Sequence, residues 1–458
     1  MNASLGARQE RMERDVLSPL VQIGWPFWLF VAACLAVIGW GVYAWTWQLR
    51  QGLIVTGLSN KVSWGFYITN FVFWVGISHA GTFVSAVLRL SDVGWRTPVV
   101  RLAEFMTIGA LFMGAAMPLV DMGRPDRLMN IVYFGRLGSP ILWDILAITS
   151  YLVGSMIYLY LPLIPDLAVA RDRLSDRVGV VRRWLYRAMA LGWRGTPDQW
   201  RRLALGIKIM CILILAVMIS VHTVVSWIFA MTWRAGWSST IFGPYFVVGA
   251  IFSGLAAVVT GMAVFRKVYH FETYITPDHF RWLSNIVVAA GLFYLYFTLN
   301  EYVSGYYKAG PEERHLMSVL MLHGPWARLF WTYFLGGHLL PVILMSLPWT
   351  RNIAGITIAS VLINIGMWIK RYVIVIPSMS VPQLLEVWGT YKPSWVEIAI
   401  VAATFAGFAL LVGLLARFFP LIPMWEMREE MEKEPLRKAA AAVGPHQTAV
   451  VGEVAGDD

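Results

Sequence analysis

The chain has 458 residues, of which 58% are hydrophobic and only 14% charged, with a formal net charge of +10 and a mean hydropathy of +0.61. Soluble domains carry about 25% charged residues, and no polar block here is large enough to fold separately, so a length that suggests several soluble domains points to a multi-pass membrane protein. The basic excess sits in loops, where it reads as cytoplasmic flanks of membrane spans and not as a nucleic-acid site.

In chain order, residues 1–24 form a polar arm of mixed charge without the apolar run of a signal peptide. Ten spanning helices follow, near Trp25–Trp47, Trp64–Leu88, Val99–Val120, Ser139–Leu163, Leu203–Met231, Pro244–Phe265, Leu283–Thr298, Trp326–Leu347, Ile353–Val375 and Trp395–Phe418. Each is long enough for a hydrocarbon layer of about 30 Å. Trp and Tyr crowd their ends, as in an interfacial aromatic belt. The fold class is thus all-α and integral to the membrane, with a membrane domain over 25–420.

Equal spacing from Gly206 to His222 and from Gly355 to Arg371, with Pro140 and Pro325 opening corresponding spans, predicts two related four-helix units over 64–231 and 244–375. Spans one and ten flank them. Chance similarity between apolar helices is the competing explanation.

Between the fourth and fifth spans lies an Arg-rich segment including Arg171, Arg182, Arg183 and Arg202. With Arg89, Arg96 and Arg101 it marks one face as basic. The positive-inside rule then makes that face, and both termini, cytoplasmic. The segment reads as an amphipathic helix on the headgroups or as a solvated loop. The tail, 421–458, reads as disordered or as a partner-docking arm.

Ionisable groups inside spans are costly and usually face protein, water or a cofactor. Here they are His79, Glu104, Asp144, Lys208, His222, His338 and Arg371. Asp121, Arg124, Asp144 and His222 are predicted to gather near the outer face, with Arg124 holding Asp121 ionised. The alternative is a structural cap with interfacial ion pairs. Helical periodicity puts Asp144, Tyr151, Ser155 and Tyr158 on one face of the fourth span. It puts Lys208, Cys211 and His222 on one face of the fifth. His79, Glu104, Lys208, Tyr151 and Tyr158 would line an inward proton route, or simply join helices by hydrogen bonds. Glu301, His338 and Arg371 are the matching candidates in the second unit.

Redox cofactors find no ligand set. The two cysteines, Cys34 and Cys211, sit in separate spans without CxxC or CxxCH spacing, which argues against an iron–sulfur cluster or c-type haem. Counting residues puts His79 and His222 about 15–20 Å apart in depth, too far to share a haem iron. No clustered metal ligands appear.

Three segments together resemble a known family: Asp121-Met-Gly-Arg124-Pro, Ser139-Pro-Ile-Leu-Trp-Asp144 and Gly366-Met-Trp-Ile-Lys-Arg371-Tyr-Val-Ile-Val. They are similar to the NrfD/PsrC-like membrane subunits of polysulfide-reductase-type complexes. The ten spans and terminal arms look most like the large quinol-binding subunits of alternative complex III. That resemblance implies a bacterial cytoplasmic membrane and a bound quinol, menaquinol foremost. It also implies an extracytoplasmic iron–sulfur partner, c-type haem subunits and a sister NrfD-like subunit. At the last motif the family often has Glu before Arg, whereas this chain has Lys370. The expected activity is quinol oxidation near the outer face, with His222 and Asp144 as proton acceptors and Asp121 and Arg124 binding the head group. A transporter without redox work and a passive anchor are the alternatives.

Overall fold

The computed structural model describes residues 2–442 apart from 238, 309 and 383–386. Among these residues every regular element is helical: ten helices are long and apolar enough to cross a membrane, and no strand forms. In hydrocarbon a helix satisfies its own backbone hydrogen bonds, which is why apolar runs of this length fold this way.

The polar arm is itself a helix, α1 (Asn2–Val21). The spans are α2 (Trp25–Gln51), α3 (Phe66–Leu90), α4 (Thr97–Asp121), then, after the short α5 (Met129–Phe134), α6 (Pro140–Leu174). The Arg-rich segment forms α7 (Val180–Met189), followed by spans α8 (Pro197–Ala230), α9 (Phe242–Val268) and α10 (Pro277–Lys308). A short α11 (Pro311–Ser318) precedes spans α12 (Ala327–Ser346), α13 (Ile353–Ser380) and α14 (Trp395–Phe418). The chain then enters α15 (Met424–Ala442).

Packing runs α3–α4–α6–α8 and back to α3, and likewise α9–α10–α12–α13 and back to α9. The two sets join where α3 packs on α9, and α2 and α14 pair alongside α4. Helix α3 is central, with Phe71 to Thr82 buried without interruption. Close approach needs small residues. A Cβ on Gly81 would collide with the Ala103 carbonyl of α4, and one on Gly337 of α12 would collide with the Gly366 backbone of α13. The second contact seats the segment that carries Lys370 and Arg371.

Two π-helical turns interrupt these spans, Phe83–Val87 just after His79 and Thr332–Leu339 around His338. Such turns shift side chains out of the regular register and often mark functional positions.

The tail departs from the expected disorder as far as Ala442, the last described residue. Helix α15 docks on α1, α4 and α6. Asp166 of α6 accepts the Met424 and Trp425 backbone N–H groups at 3.1 and 3.2 Å, capping α15 from another helix. Glu426 is buried between Arg89 and Arg96, and Glu13 of α1 pairs with Arg428 and Arg173. Arg89, Arg96 and Arg101 are therefore internal ion-pair partners and not headgroup flanks. The tail could not be read as docked because its partners lie more than 250 positions upstream.

This latch is acid-sensitive. Burial pushes the Glu426 carboxyl up, but Arg89 and Arg96 outweigh it and hold the group below its ordinary range. Its stabilisation is present above the unfolded carboxylate pKa of about 4.3 and is lost as pH falls through the lower folded value. Hydrogen exchange over 424–433 should rise as pH drops from about 5 towards 3, and Glu426→Gln should show a smaller step, the remainder coming from Glu13 opposite Arg428 and Asp166 at the start of α15. A pH-independent protection pattern in the unaltered protein would refute the latch.

Candidate functional site

The strongest juxtaposition in the membrane domain is a histidine pair. The His79 ring on α3 meets the His222 ring on α8 at 4.0 Å between centroids, edge to face, and both are wholly buried. This overturns the depth separation expected from residue counting. Trp64, just before α3, packs on Phe229 near the end of α8 at 5.7 Å, so those two ends share a level. From there His79 is about 20 Å in and His222 about 12 Å. The His79 side chain reaches α8 at Met218, about one turn deeper than His222, which accounts for most of the remainder. Helix α8 has 34 residues and overhangs on the other side, so counting from that end misplaces His222.

Each imidazole is held differently. His79 Nδ1 lies 3.0 Å from the Val75 carbonyl oxygen and Nε2 lies 2.8 Å from that of Met218. A neutral ring carries one N–H, so it donates to one carbonyl only; both bonds require the protonated ring. His222 has no hydrogen bond at either nitrogen. A buried polar group without a partner is costly, and here two acceptor or donor positions are open at once. The Tyr151 ring lies 5.6 Å from His79. Its hydroxyl donates to the Ser78 carbonyl at 3.1 Å and contacts Thr82 Oγ1 at 2.7 Å.

Arg371 reaches this centre from α13. Its guanidinium sits 5.3 Å from the Phe246 ring centroid, and the same ring is 6.5 Å from His222. Arg371 Nη2 comes within ordinary van der Waals distance of the Gly76 position on α3, 3.6 Å from where a Cβ would stand. The two positions matched in the internal comparison, His222 and Arg371, thus flank one phenylalanine.

The predicted outer cluster does not assemble. Among the described residues no hydrogen bond or ion pair joins any two of Asp121, Arg124, Asp144 and His222. Arg124 pairs with Asp126 instead, at 2.9 and 3.0 Å, and both are more than half exposed. The exposed pair holds the Asp126 carboxyl below its usual range. Gly123 explains the change. Its φ of +66° turns the chain after α4, so Arg124 leaves Asp121 behind and meets its near neighbour across Pro125. Asp121 keeps an oxygen that is buried and unbonded.

The fourth-span face is as predicted: Asp144, Tyr151, Ser155 and Tyr158 are all buried on α6. Asp144 Oδ1 has no partner, and Tyr158 contacts Cys211 Sγ at 3.2 Å. Lys208 is exposed, contrary to its place in the inward stripe. The buried stripe of α8 centres on Ile207, Cys211, Ile214 and Met218, and Lys208 is rotated about 100° from Ile207. Glu104 is buried on α4; both oxygens lack hydrogen bonds, and one lies 3.9 Å from Arg101 Nε.

The second unit holds a site that the spacing did not reveal. Lys370 is buried, donates to Tyr302 Oη at 2.9 Å, and has the Tyr302, Tyr333 and Tyr245 rings 5.0, 5.1 and 5.6 Å from Nζ. Such distances suit cation–π attraction. A cavity of about 50 Å³ beside it is also bounded by Glu301, Glu313 and Ser378. Ser239 donates to Glu301. His338 Nε2 lies 2.9 Å from the Gly291 carbonyl oxygen, while Nδ1 has no partner. The signal for the cage was a lysine inside a span, with tyrosines on other helices that only the packing brings near. Among the described residues no group of three or more His, Cys, Asp or Glu is arranged to hold a metal ion.

Residues 54–383 match the family model described as polysulphide reductase, NrfD. The chain belongs to the NrfD family. It is 29% identical to a putative dimethyl sulfoxide reductase membrane subunit of Halobacterium salinarum, over 89% of this chain and 94% of that one. It is 24% identical to the integral membrane subunit of a menaquinone reductase of Nitratidesulfovibrio vulgaris, over 87% and 92%. It is 22% identical to the integral membrane subunit of an Hdr-like menaquinol oxidoreductase of Archaeoglobus fulgidus, over 89% and 96%. The family match covers both helix sets, so the histidine pair and the lysine cage both lie within the NrfD region.

Proposed function

We propose that this protein is the quinone-reactive membrane subunit of a multi-subunit oxidoreductase. It takes electrons from menaquinol or a similar quinol and passes them to a partner that carries redox centres. The carrying observation is the buried His79–His222 ring pair, with both His222 nitrogens unbonded and an unbonded Asp144 oxygen on the neighbouring helix, in an NrfD-family membrane domain. The menaquinone- and menaquinol-linked names of two relatives support the choice of substrate.

Quinol oxidation releases two electrons and two protons. A neutral imidazole or a carboxylate within hydrogen-bond reach of a quinol hydroxyl accepts a proton as the ring is oxidised. His222 has both ring nitrogens available, and Asp144 has a free carboxylate oxygen on the neighbouring helix. His79, fixed between two carbonyls, takes up a proton with both N–H groups satisfied. His222 and Asp144 are the acceptors in this reading, and His79 relays. Arg371 orients the head group electrostatically from the second helix set. Arg124 has no part, since it is engaged in solvent.

From His79 a sparse polar trail leads by way of Tyr151, Tyr158 and Glu104 to the side that bears α1 and α15. We assign it to proton exchange with that side, which also carries the Arg-rich α7 and which we take as the cytoplasmic one. The electron-accepting partners are an iron–sulfur subunit on the opposite face and, beyond it, c-type haem subunits, with a sister NrfD-like chain beside this one in a bacterial cytoplasmic membrane.

Purified in mild detergent, the intact assembly should contain quinone and partner subunits with visible iron–sulfur or haem absorption. A colourless single chain without quinone would refute the assignment.

A further inference from the structure

A groove of about 710 Å³ runs between the α2–α14 pair and helices α3, α9 and α13. Its wall is apolar and aromatic, including Phe27, Phe30, Trp74, Phe405 and Phe408. The floor is rigid. Trp74 packs 4.8 Å from both Phe405 and Phe408, and its Nε1 donates to Thr404 at 3.1 Å.

One end of the groove is cationic. Arg417 lies between two rings, 4.7 Å from the Phe27 centroid and 5.3 Å from that of Tyr269. Its Nη1 donates to the backbone carbonyls of Pro19 and Gln22 at the end of α1, and its Nε is buried without a partner. Carbonyls and rings orient this guanidinium but do not cancel its charge. A second guanidinium, Arg182, donates to the Arg417 carbonyl and packs 5.2 Å from the Phe418 ring.

The dimensions specify the ligand further. From Arg417 back to Phe405 is about 18 Å of helix at 1.5 Å per residue. That is close to one leaflet of a bilayer whose hydrocarbon is about 30 Å thick. A trough one leaflet long, closed by Arg417 at one end, matches a lipid with an acyl chain and a negative head. Basic pockets between spanning helices recognise such lipids.

We propose that this groove binds an anionic glycerophospholipid, its acyl chain against Trp74 and Phe408 and its phosphate on Arg417. The lipid wedges the α2–α14 pair to the second helix set. This does not rest on the quinol reading.

The intact assembly is reconstituted in nanodiscs of phosphatidylcholine containing a minor fraction of phosphatidylglycerol, then delipidated and weighed by native mass spectrometry. One phosphatidylglycerol per chain should be retained. Arg417→Gln should weaken retention about fivefold, the equivalent of about 1 kcal/mol per basic residue at an anionic surface. Because Arg417 also tethers α1, Ala409→Trp provides a second arm: it fills the groove, leaves Arg417 in place and should abolish retention. Equal retention of the two lipids, or retention unaffected by Ala409→Trp, would overturn the proposal. So would density for a quinone or a partner's helix in the groove of the unaltered complex.

Discussion

Replacing His222 with alanine, or Asp144 with asparagine, should lower quinol turnover by the intact complex about 100-fold. That is the low end of what a positioned general base contributes. The expectation follows from how little either side chain does for the fold. His222 makes no hydrogen bond, and Asp144 keeps one oxygen unbonded despite burial. Their removal breaks few hydrogen bonds, and Asp144→Asn also keeps the side-chain volume, so partner content should stay normal in that variant. The pH dependence of turnover should change as well, since a group that accepts the substrate's proton shapes that profile and a packing residue does not. Normal turnover in both variants would refute their assignment as acceptors. In sealed vesicles a companion variant, Glu104→Gln, should lower protons moved per electron while largely sparing electron transfer. An unchanged ratio would make Glu104 a structural partner of Arg101.

The second large effect concerns stability. Arg101 is almost wholly buried and donates to Asp166 at 3.0 Å and to the carbonyls of Pro162 and Pro420 at 3.2 and 3.3 Å. It joins α4 and α6 to the chain between α14 and α15. Arg101→Leu leaves the Asp166 carboxylate buried without its cation, and breaking such a pair costs about 3–5 kcal/mol. The variant should unfold at markedly lower temperature or denaturant concentration, with α15 released first. Asp166→Asn should be milder, because an amide oxygen still caps the α15 N–H groups, although burying Arg101 without its anion retains part of the cost. Equal stability of Arg101→Leu and the unaltered protein, by tryptophan fluorescence in detergent, would contradict this reading of the inner network.

Much of the architecture was legible without coordinates because membrane helices are specified locally. A run of about 20 apolar residues must satisfy its backbone internally, so length and hydropathy alone located all ten spans. Periodicity likewise placed Asp144, Tyr151, Ser155 and Tyr158 on one buried face, since every residue of a regular helix is related to the next by the same rotation. It failed for Lys208 for a related reason: at the edge of a stripe, a rotation of one residue decides between lipid and interior.

What lay beyond the sequence was whatever depends on two helices meeting. Residue counting gives position along one axis but neither tilt nor overhang, so it separated His79 from His222, whose rings touch. It could not show that Gly123 turns Arg124 away from Asp121 towards Asp126, nor that Glu426 returns from the tail to sit between Arg89 and Arg96. Burial converted those arginines from apparent surface charges to internal ones. The chain by itself determined that this is a multi-span NrfD-like membrane protein with a small set of costly polar groups within its spans. Only the tertiary structure decided which of those groups share a site. Charge and hydrogen-bond energies act over a few ångströms across helix interfaces, whereas hydropathy is a property of each segment alone.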